Sequence, residues 1–186
     1  MIDTVKRDDE YGVRPGIERS SELDQAVIVA LGGNDKGGRT SCRETLEAAL
    51  QRLEQDGVHI VARSSWWSSL AWPDPNDPPF LNGVVILRTD LRPNELMGLL
   101  SRIEDEFGRK RSTRNAPRTL DLDLIACGRL SGDFDGLILP HPRAADRLFV
   151  MGPLAEIAPD WVHPVIERTA KELAQDAPVG RDAHAI

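Results

Sequence analysis

The chain has 186 residues, of which 40% are hydrophobic and 28% charged, and its formal net charge is −7. This composition predicts one globular domain with a substantial core, and the negative charge argues against general nucleic-acid binding. No stretch approaches the roughly 20 apolar residues of a membrane span, and the N-terminus lacks the apolar segment of a signal peptide. The two cysteines have no metal-ligand spacing, so we expect reduced thiols in a cytoplasmic protein.

The first predicted elements follow an N-terminal extension, residues 1–24, which has four basic and seven acidic residues and no apolar periodicity. The apolar run 26–31 is typical of a buried strand. After a glycine loop, Ser41 and Glu44 form a capping-box pattern, which predicts a helix that ends at Gly57.

Two further strands are predicted before the second long helix. Residues 58–67 have the composition of a strand, and residues 82–89 contain an unbroken apolar run that predicts cover on both faces. The proline-rich segment 72–79 between them is too irregular for a helix or strand and is typical of a loop that covers a ligand. Pro93 suits the first position of a helix, whose apolar stripe stops before Gly108.

One more strand follows a basic loop and completes the order β-α-β-β-α-β, which predicts an α+β fold with a ferredoxin-like core. Residues 137–139 are a candidate for an additional strand, and short helices near 147–157 and 169–175 would cover the second face of the sheet. We therefore expect a single domain over residues 25–175, followed by a polar C-terminal tail, residues 176–186.

The strongest chemical signal lies where the basic loop 109–118 meets the last core strand. The loop has four arginines and one lysine but no acid, and Asp121 and Asp123 follow it. Alternation along a strand puts both carboxylates on one face, where they repel each other. Mg²⁺ relieves such repulsion and is typically held by one or two carboxylates plus substrate phosphates. The pattern predicts a divalent cation beside a polyphosphate; the alternative is a solvated strand edge with a surface charge run.

A second cluster of cationic groups lies in segment 140–147, where prolines flank His141. We predict that His141 and Arg147 donate hydrogen bonds to phosphate oxygens and stabilise charge during transfer. The alternative is a surface histidine beside a solvated arginine, and the local sequence does not decide between the two.

Aromatic residues crowd around the proline-rich loop, where a flat heterocyclic ligand could stack on them. The alternative is that they are core residues at the base of the loop. The residues concerned are Trp66, Trp67, Trp72 and Phe80.

The glycine loop 33–40 offers a different hypothesis, because it matches the phosphate-binding pattern GxxxxGK[ST] except that Arg39 replaces the lysine. A planar guanidinium does not simply copy the point charge of that lysine. In addition, Asp121 and Asp123 begin a strand, whereas the partner aspartate of such a loop ends one. A plain turn that needs glycine for positive φ is therefore favoured.

Several of these segments together resemble the 6-hydroxymethyl-7,8-dihydropterin pyrophosphokinase family. Its members transfer the β,γ-diphosphate of ATP to the hydroxymethyl group of a reduced pterin and release AMP. The resemblance implies a ferredoxin-like core elaborated into a three-layer αβα sandwich. It covers residues 26–161 and rests on residues 30–34, 80–82, 102–104, 108–109, 117–123 (PRTLDLD), 140–142 and 147–150.

The resemblance also implies roles for individual residues on the ATP side. Asp121 and Asp123 would bind two Mg²⁺ ions that bridge the ATP phosphates, and Arg109 and Arg118 would complete the catalytic group by holding those phosphates. The remaining residues implied in ATP binding are Glu104, Arg111, His141 and Arg147.

On the pterin side, the resemblance implies that Asn82 hydrogen-bonds the pterin and that Phe80 and Phe149 enclose its ring. The expected partners are ATP and the pterin, with no nucleic acid and no membrane, and we expect a monomer. A non-catalytic ferredoxin-like module that binds a metal or an anionic partner is a further alternative.

Overall fold

The computed structural model describes residues 20–72, 74–109 and 118–186. Within these ranges no helix combines the length and the apolar character needed to cross a membrane. In chain order the elements are α1 (Ser20–Leu23), β1 (Val27–Gly33), α2 (Cys42–Gln55), β2 (His59–Arg63), β3 (Trp67–Ser69), β4 (Phe80–Arg88), α3 (Pro93–Glu106), β5 (Asp121–Cys127), β6 (Gly132–Phe134), β7 (Leu137–Leu139), α4 (Leu148–Ile157), α5 (Ala170–Asp176) and β8 (His184–Ala185).

The main sheet has the order β5-β1-β4-β3-β8, and β2 also pairs with β4. All of these pairings are antiparallel. The core elements β1-α2-β2-β4-α3-β5 follow the predicted order, so the ferredoxin-like α+β fold is confirmed.

Both faces of the sheet are covered, which explains the continuous apolar runs in β1 and β4. Alternation along β1 directs Val29 toward a core cluster with α2 and α3, and Ile28 toward a second cluster with α4 and α5. Trp161 is 1% exposed and anchors the second cluster. The result is the three-layer αβα sandwich.

The N-cap of α2 and the first residue of α3 are confirmed at the predicted positions. The Ser41 hydroxyl accepts the Glu44 N–H at 3.2 Å, and Pro93 is the first residue of α3. The Glu44 carboxylate accepts the N–H of Thr40, one residue before the N-cap. Gly57 follows α2 with φ +80°, a conformation that favours glycine.

Two strand predictions need correction. The single strand predicted over 58–67 is two strands, β2 and β3, because the chain breaks at Ser64, whose hydroxyl accepts the Val84 N–H at 3.0 Å. The additional strand at 137–139 exists as β7, but it pairs with β6 in a separate two-stranded sheet.

Both chain ends also differ from the expectation. Residues 1–19 of the predicted extension lie outside the described residues, whereas residues 20–23 form α1 and Leu23 is buried in the core. The segment predicted as a polar tail, residues 176–186, ends in β8, which pairs with the edge of β3. Such an edge has unpaired backbone groups that another strand can satisfy, whatever the polarity of its side chains.

Candidate active site

A cavity of about 600 Å³ opens at the edge of the sheet where β1 ends and β4 and β5 begin. Gly32 of β1 is paired with Asn82 of β4 on one side and with Asp121 of β5 on the other, so these two residues lie on the two strands that flank β1. The cavity is lined by every predicted site residue except Glu104 and Arg111, and Arg111 lies outside the described residues. The predicted residues that line it are Phe80, Asn82, Arg109, Arg118, Asp121, Asp123, His141, Arg147 and Phe149.

The carboxylates of Asp121 and Asp123 face this cavity, because the alternate residues of β5, among them Leu122, are buried in the core. Burial raises the pKa of Asp123 above its usual value, and the charge of Asp121 raises it further. A cation bound beside Asp123 would oppose this effect by stabilising its ionised form.

Arginines already surround the carboxylates. Arg109 Nη2 lies 2.7 Å from Asp121 Oδ1, and Arg118 Nη1 contacts the other carboxylate oxygen, Asp121 Oδ2. Arg147 Nη1 lies 3.8 Å from Asp123 Oδ2. The cavity thus brings together the cationic and anionic groups that the sequence places in two separate segments.

His141 has a defined orientation at the end of this group. Its backbone N–H donates to the Ile125 carbonyl at 2.8 Å, and its Nδ1 accepts the Arg143 N–H at 3.2 Å. Burial lowers the pKa of His141, although the charge of Asp123 opposes this effect. A neutral imidazole that accepts at Nδ1 carries its proton on Nε2, so the ring can donate from Nε2.

Glu104 lies behind the cavity rather than in its lining. Its side chain is fully buried, contacts the guanidinium of Arg109, and accepts the Leu122 N–H at 2.7 Å. The backbone N–H of Arg109 also donates to the Glu104 carbonyl at 3.0 Å. Glu104 therefore holds Arg109 and β5 in place from within the core.

The pH dependence of stability tests this buried position. Burial raises the pKa of Glu104 from 4.5 to about 7. Between pH 4.5 and pH 7 the folded state therefore binds more protons than the unfolded state does. The stability that the protonated side chain contributes is present below pH 4.5 and is lost as the pH rises through 7. We expect the free energy of unfolding of the wild type, relative to Glu104→Gln, to fall by up to about 3 kcal/mol over this interval. Urea unfolding of the substrate-free proteins measures it, and parallel pH profiles would contradict it.

On the β4 side of β1, the cavity lining contains amide and aromatic side chains. Asn82 is buried, and its Nδ2 donates to the Ser69 hydroxyl at 3.0 Å, which sets the orientation of its amide. Phe80 and Trp72 also line the cavity, as does Phe149, whose ring centre lies 5.7 Å from the Arg147 guanidinium. A flat ring that carries hydrogen-bonding groups at its edge matches these walls.

Trp66 is a core residue rather than part of the ligand cavity, as the alternative interpretation of the aromatic residues predicts. Trp66 is 5% exposed in the core, and its Nε1 donates to Glu47 at 3.0 Å. Trp67 contacts α4, where its Nε1 donates to Glu156 at 3.0 Å. Trp72, by contrast, lines the cavity and is 77% exposed.

Asn34 is a cavity residue to which the sequence assigns no role of its own. Its Oδ1 accepts the Arg118 N–H at 2.9 Å, and its Nδ2 donates to the Pro78 carbonyl at 3.1 Å. One buried amide thus connects the backbone of a cationic residue with the proline-rich loop. The sequence signals for this residue are its position directly after a buried strand and its place in the segment 30–34, which is part of the family resemblance.

The structure does not support phosphate binding by the glycine loop. The N–H groups of Asn34 and Asp35 donate to the Arg118 carbonyl at 2.9 and 3.1 Å, so they are already used. Arg39 stacks on the Phe107 ring at 5.2 Å and is absent from the cavity lining. The loop therefore holds the start of the β5 segment rather than a ligand.

Solved structures share this fold. A crystal structure described as HPPK-DHPS in complex with substrates superimposes with a TM-score of 0.63 at 14% identity, covering 81% of this chain and 42% of that chain. A wild-type Plasmodium falciparum HPPK-DHPS structure gives a TM-score of 0.64 at 12% identity, covering 87% of this chain and 48% of that chain. At these identities the likeness shows the fold alone.

Relatives found by sequence share a higher identity with this chain than these solved structures do. The chain is 42% identical over 150 residues to a Synechocystis 2-amino-4-hydroxy-6-hydroxymethyldihydropteridine pyrophosphokinase, covering 80% of this chain and 74% of the relative. It is 41% identical to the Pseudomonas aeruginosa protein of the same name, covering 73% of this chain and 82% of the relative. It also matches the Folic acid synthesis protein fol1 of Pneumocystis carinii at 34% identity, over 80% of this chain but 20% of that longer protein.

The family assignment follows from a match along most of the chain. Residues 28–159 match the sequence model of 7,8-dihydro-6-hydroxymethylpterin-pyrophosphokinase. This range contains the carboxylate pair, the cationic residues around it and the aromatic wall. The chain therefore belongs to the 7,8-dihydro-6-hydroxymethylpterin-pyrophosphokinase family.

Proposed function

We propose that this protein transfers the diphosphate of ATP to the hydroxymethyl group of 6-hydroxymethyl-7,8-dihydropterin, with release of AMP, in folate biosynthesis. One observation carries the proposal: a single cavity is lined both by a carboxylate pair with arginines beside it and by an amide with aromatic side chains. The carboxylates and arginines suit a polyphosphate with its metal, and the amide and aromatic side chains suit a flat heterocycle. Membership of the family supports the same pair of substrates.

The carboxylate pair fits Mg²⁺. As the family resemblance implies, Asp121 and Asp123 would supply the protein ligands for two ions, and phosphate oxygens and water would complete the coordination. When bound, Mg²⁺ neutralises phosphate charge and aligns the reacting groups.

Transfer by this site depends mainly on positioning and on neutralising charge. Arg109 and Arg118, which pair with Asp121 here, are placed to hold the phosphates when ATP is bound. His141 would donate from Nε2, and Arg147 lies beside it at the second carboxylate. Phosphate oxygens would replace the Asp121 carboxylate as the partner of both arginines, and donors directed at the transferring group stabilise the charge that develops in the transition state.

The pterin would lie between Phe80 and Phe149, with Asn82 hydrogen-bonded to its edge. The amide of Asn82 is held by Ser69, so it presents a fixed pattern of donor and acceptor atoms. The proline-rich loop beside it would exclude water, which otherwise competes with the pterin hydroxyl as the attacking group.

The product formed from ATP and the pterin distinguishes this function from its alternatives. The purified protein with Mg²⁺ should form AMP and the pterin diphosphate; ADP would indicate a phosphotransferase, and no product would indicate a binding module. Arg39→Ala, outside the cavity, should retain activity within about twofold, since it removes no group near the phosphates. Abolished turnover in that variant would favour the glycine loop as the phosphate site.

We also propose that the protein works as a monomer in the cytoplasm. Gel filtration with light scattering tests the monomer, and a dimer at micromolar concentration would contradict it.

A further inference from the structure

We propose that the C-terminal segment, residues 177–186, positions the pterin-binding walls of the cavity, with Gly180 and Asp182 as positioning residues. The segment connects the start of α4, which carries Phe149, to the end of β3 and the adjoining residue Leu70. The inference rests on the proposed function, because it takes Phe149 as a pterin-facing residue.

The first attachment is at the beginning of α4. The Val179 N–H donates to the Asp146 carbonyl at 3.0 Å, and the Val179 carbonyl accepts the Leu148 N–H at 2.9 Å. These two bonds form a parallel bridge beside Arg147. The segment is therefore fixed to the backbone directly before Phe149.

Gly180 then lies directly against the ring of Phe149. A Cβ added at Gly180 would be 2.5 Å from Cδ1 and 3.0 Å from Cε1 of that ring. The residue also has φ +71°, which favours glycine. The backbone of Gly180 thus supports the ring from outside the cavity, and a side chain here would push the ring from its place.

The second attachment is at the opposite wall. The Asp182 carboxylate accepts the Leu70 N–H at 2.5 Å, and the turn that contains Asp182 is closed by the Ala183 N–H, which donates to the Gly180 carbonyl at 2.9 Å. Leu70, Ala71 and Trp72 line the cavity. Asp182 therefore fixes the point where the chain leaves β3 and enters the cavity wall.

Strand pairing continues this attachment. In β8, His184 is paired with Ser68 and Ala185 with Trp67, and the Ile186 N–H donates to the Trp66 carbonyl at 2.9 Å. The segment therefore holds β3, which would otherwise be an edge strand.

Together these contacts fix the distance between the Phe149 wall and the Leu70 wall. A cavity whose walls are held before binding loses less free energy in ordering them around the ligand. Gly180 and Asp182 contact Phe149 and Leu70 and make no contact with the carboxylate pair among the interactions described, whereas the Arg147 guanidinium lies 5.7 Å from the centre of the Phe149 ring. We therefore expect a large effect on pterin binding and a small one on ATP binding.

Gly180→Ala in the full-length chain tests this inference, with Gly57→Ala as its matched control. Gly57 has φ +80°, and an added Cβ would meet nothing within 4 Å, so the control introduces similar backbone strain without a ring contact. We expect Gly180→Ala to raise the Kd for 6-hydroxymethyl-7,8-dihydropterin about tenfold, since displaced side chains weaken a packed site by this order. The Kd for Mg²⁺-ATP should stay within about twofold, and Gly57→Ala should change neither value.

Asp182 provides a second test that does not depend on the glycine variant folding well. Asp182→Ala removes the acceptor for the Leu70 N–H, whereas Asp182→Asn keeps a side-chain oxygen at that place. We expect the alanine variant to raise KM for the pterin about fivefold and the asparagine variant to restore it, because an unmade hydrogen bond weakens a site by about this much.

The outcomes separate this inference from the proposed function. If the wild type does not convert the pterin to its diphosphate, the proposed function fails and this inference with it. If the wild type is active but both variants lower only Tm, or weaken ATP and pterin equally, the segment is a stabilising element alone and the inference is overturned.

Discussion

Asp123→Asn is expected to lower kcat about a thousandfold, because loss of the proposed metal ligand would remove several kcal/mol of charge stabilisation from the transition state. We expect the substitution not to lower the stability of the folded protein. Burial and the neighbouring Asp121 raise the pKa of Asp123, which means that its ionised form is disfavoured in the folded protein. A neutral amide removes that penalty, so we expect Tm to be unchanged or higher.

Steady-state AMP formation with saturating ATP, Mg²⁺ and pterin measures this effect, and Asp121→Asn should behave in the same way. Asp90→Asn is the matched control, since that carboxylate is exposed and absent from the cavity lining. Pterin binding to the Asp123 variant should persist, because the side chains proposed to bind the pterin are untouched. Activity within tenfold of the wild type in either site variant would contradict the metal assignment.

Arg118→Ala is expected to lower kcat/KM for ATP by a factor of about a hundred to a thousand, as for other preorganised donors to developing charge. The backbone at this position is held independently of the side chain, since the Arg118 N–H donates to Asn34 and its carbonyl accepts two N–H groups. The side chain itself is 44% exposed and pairs with Asp121 at the cavity. The substitution therefore removes the guanidinium without releasing the loop.

Arg118→Lys separates charge from geometry, because lysine keeps a positive charge but lacks the planar fork that binds two phosphate oxygens. We expect the lysine variant to recover part of the lost activity. Arg102→Ala, an exposed arginine of α3, should leave kcat/KM unchanged. If Arg118→Ala lowers only Tm, the guanidinium has a structural role.

Local patterns in the sequence predicted those parts of the molecule that backbone geometry controls over a few residues. Alternation along β5 correctly placed Asp121 and Asp123 on one face, because successive side chains of a strand point in opposite directions. The Ser41 cap of α2 and Pro93 at the start of α3 were likewise predicted from neighbouring residues. The order β-α-β-β-α-β and the fold followed from these elements.

The core elements, the carboxylate pair and the cationic segments around it could thus be predicted from local patterns. Three features are visible only in the folded molecule: Glu104 supports Arg109 from the core, Asn34 connects Arg118 with the Pro78 loop, and the C-terminal segment adds a strand. The difference lies in the distance along the chain over which each signal acts. Periodicity reports how one residue lies relative to its near neighbours, whereas these three features depend on hydrogen bonds and packing between segments far apart in the chain, and a two-residue strand has no periodicity to detect.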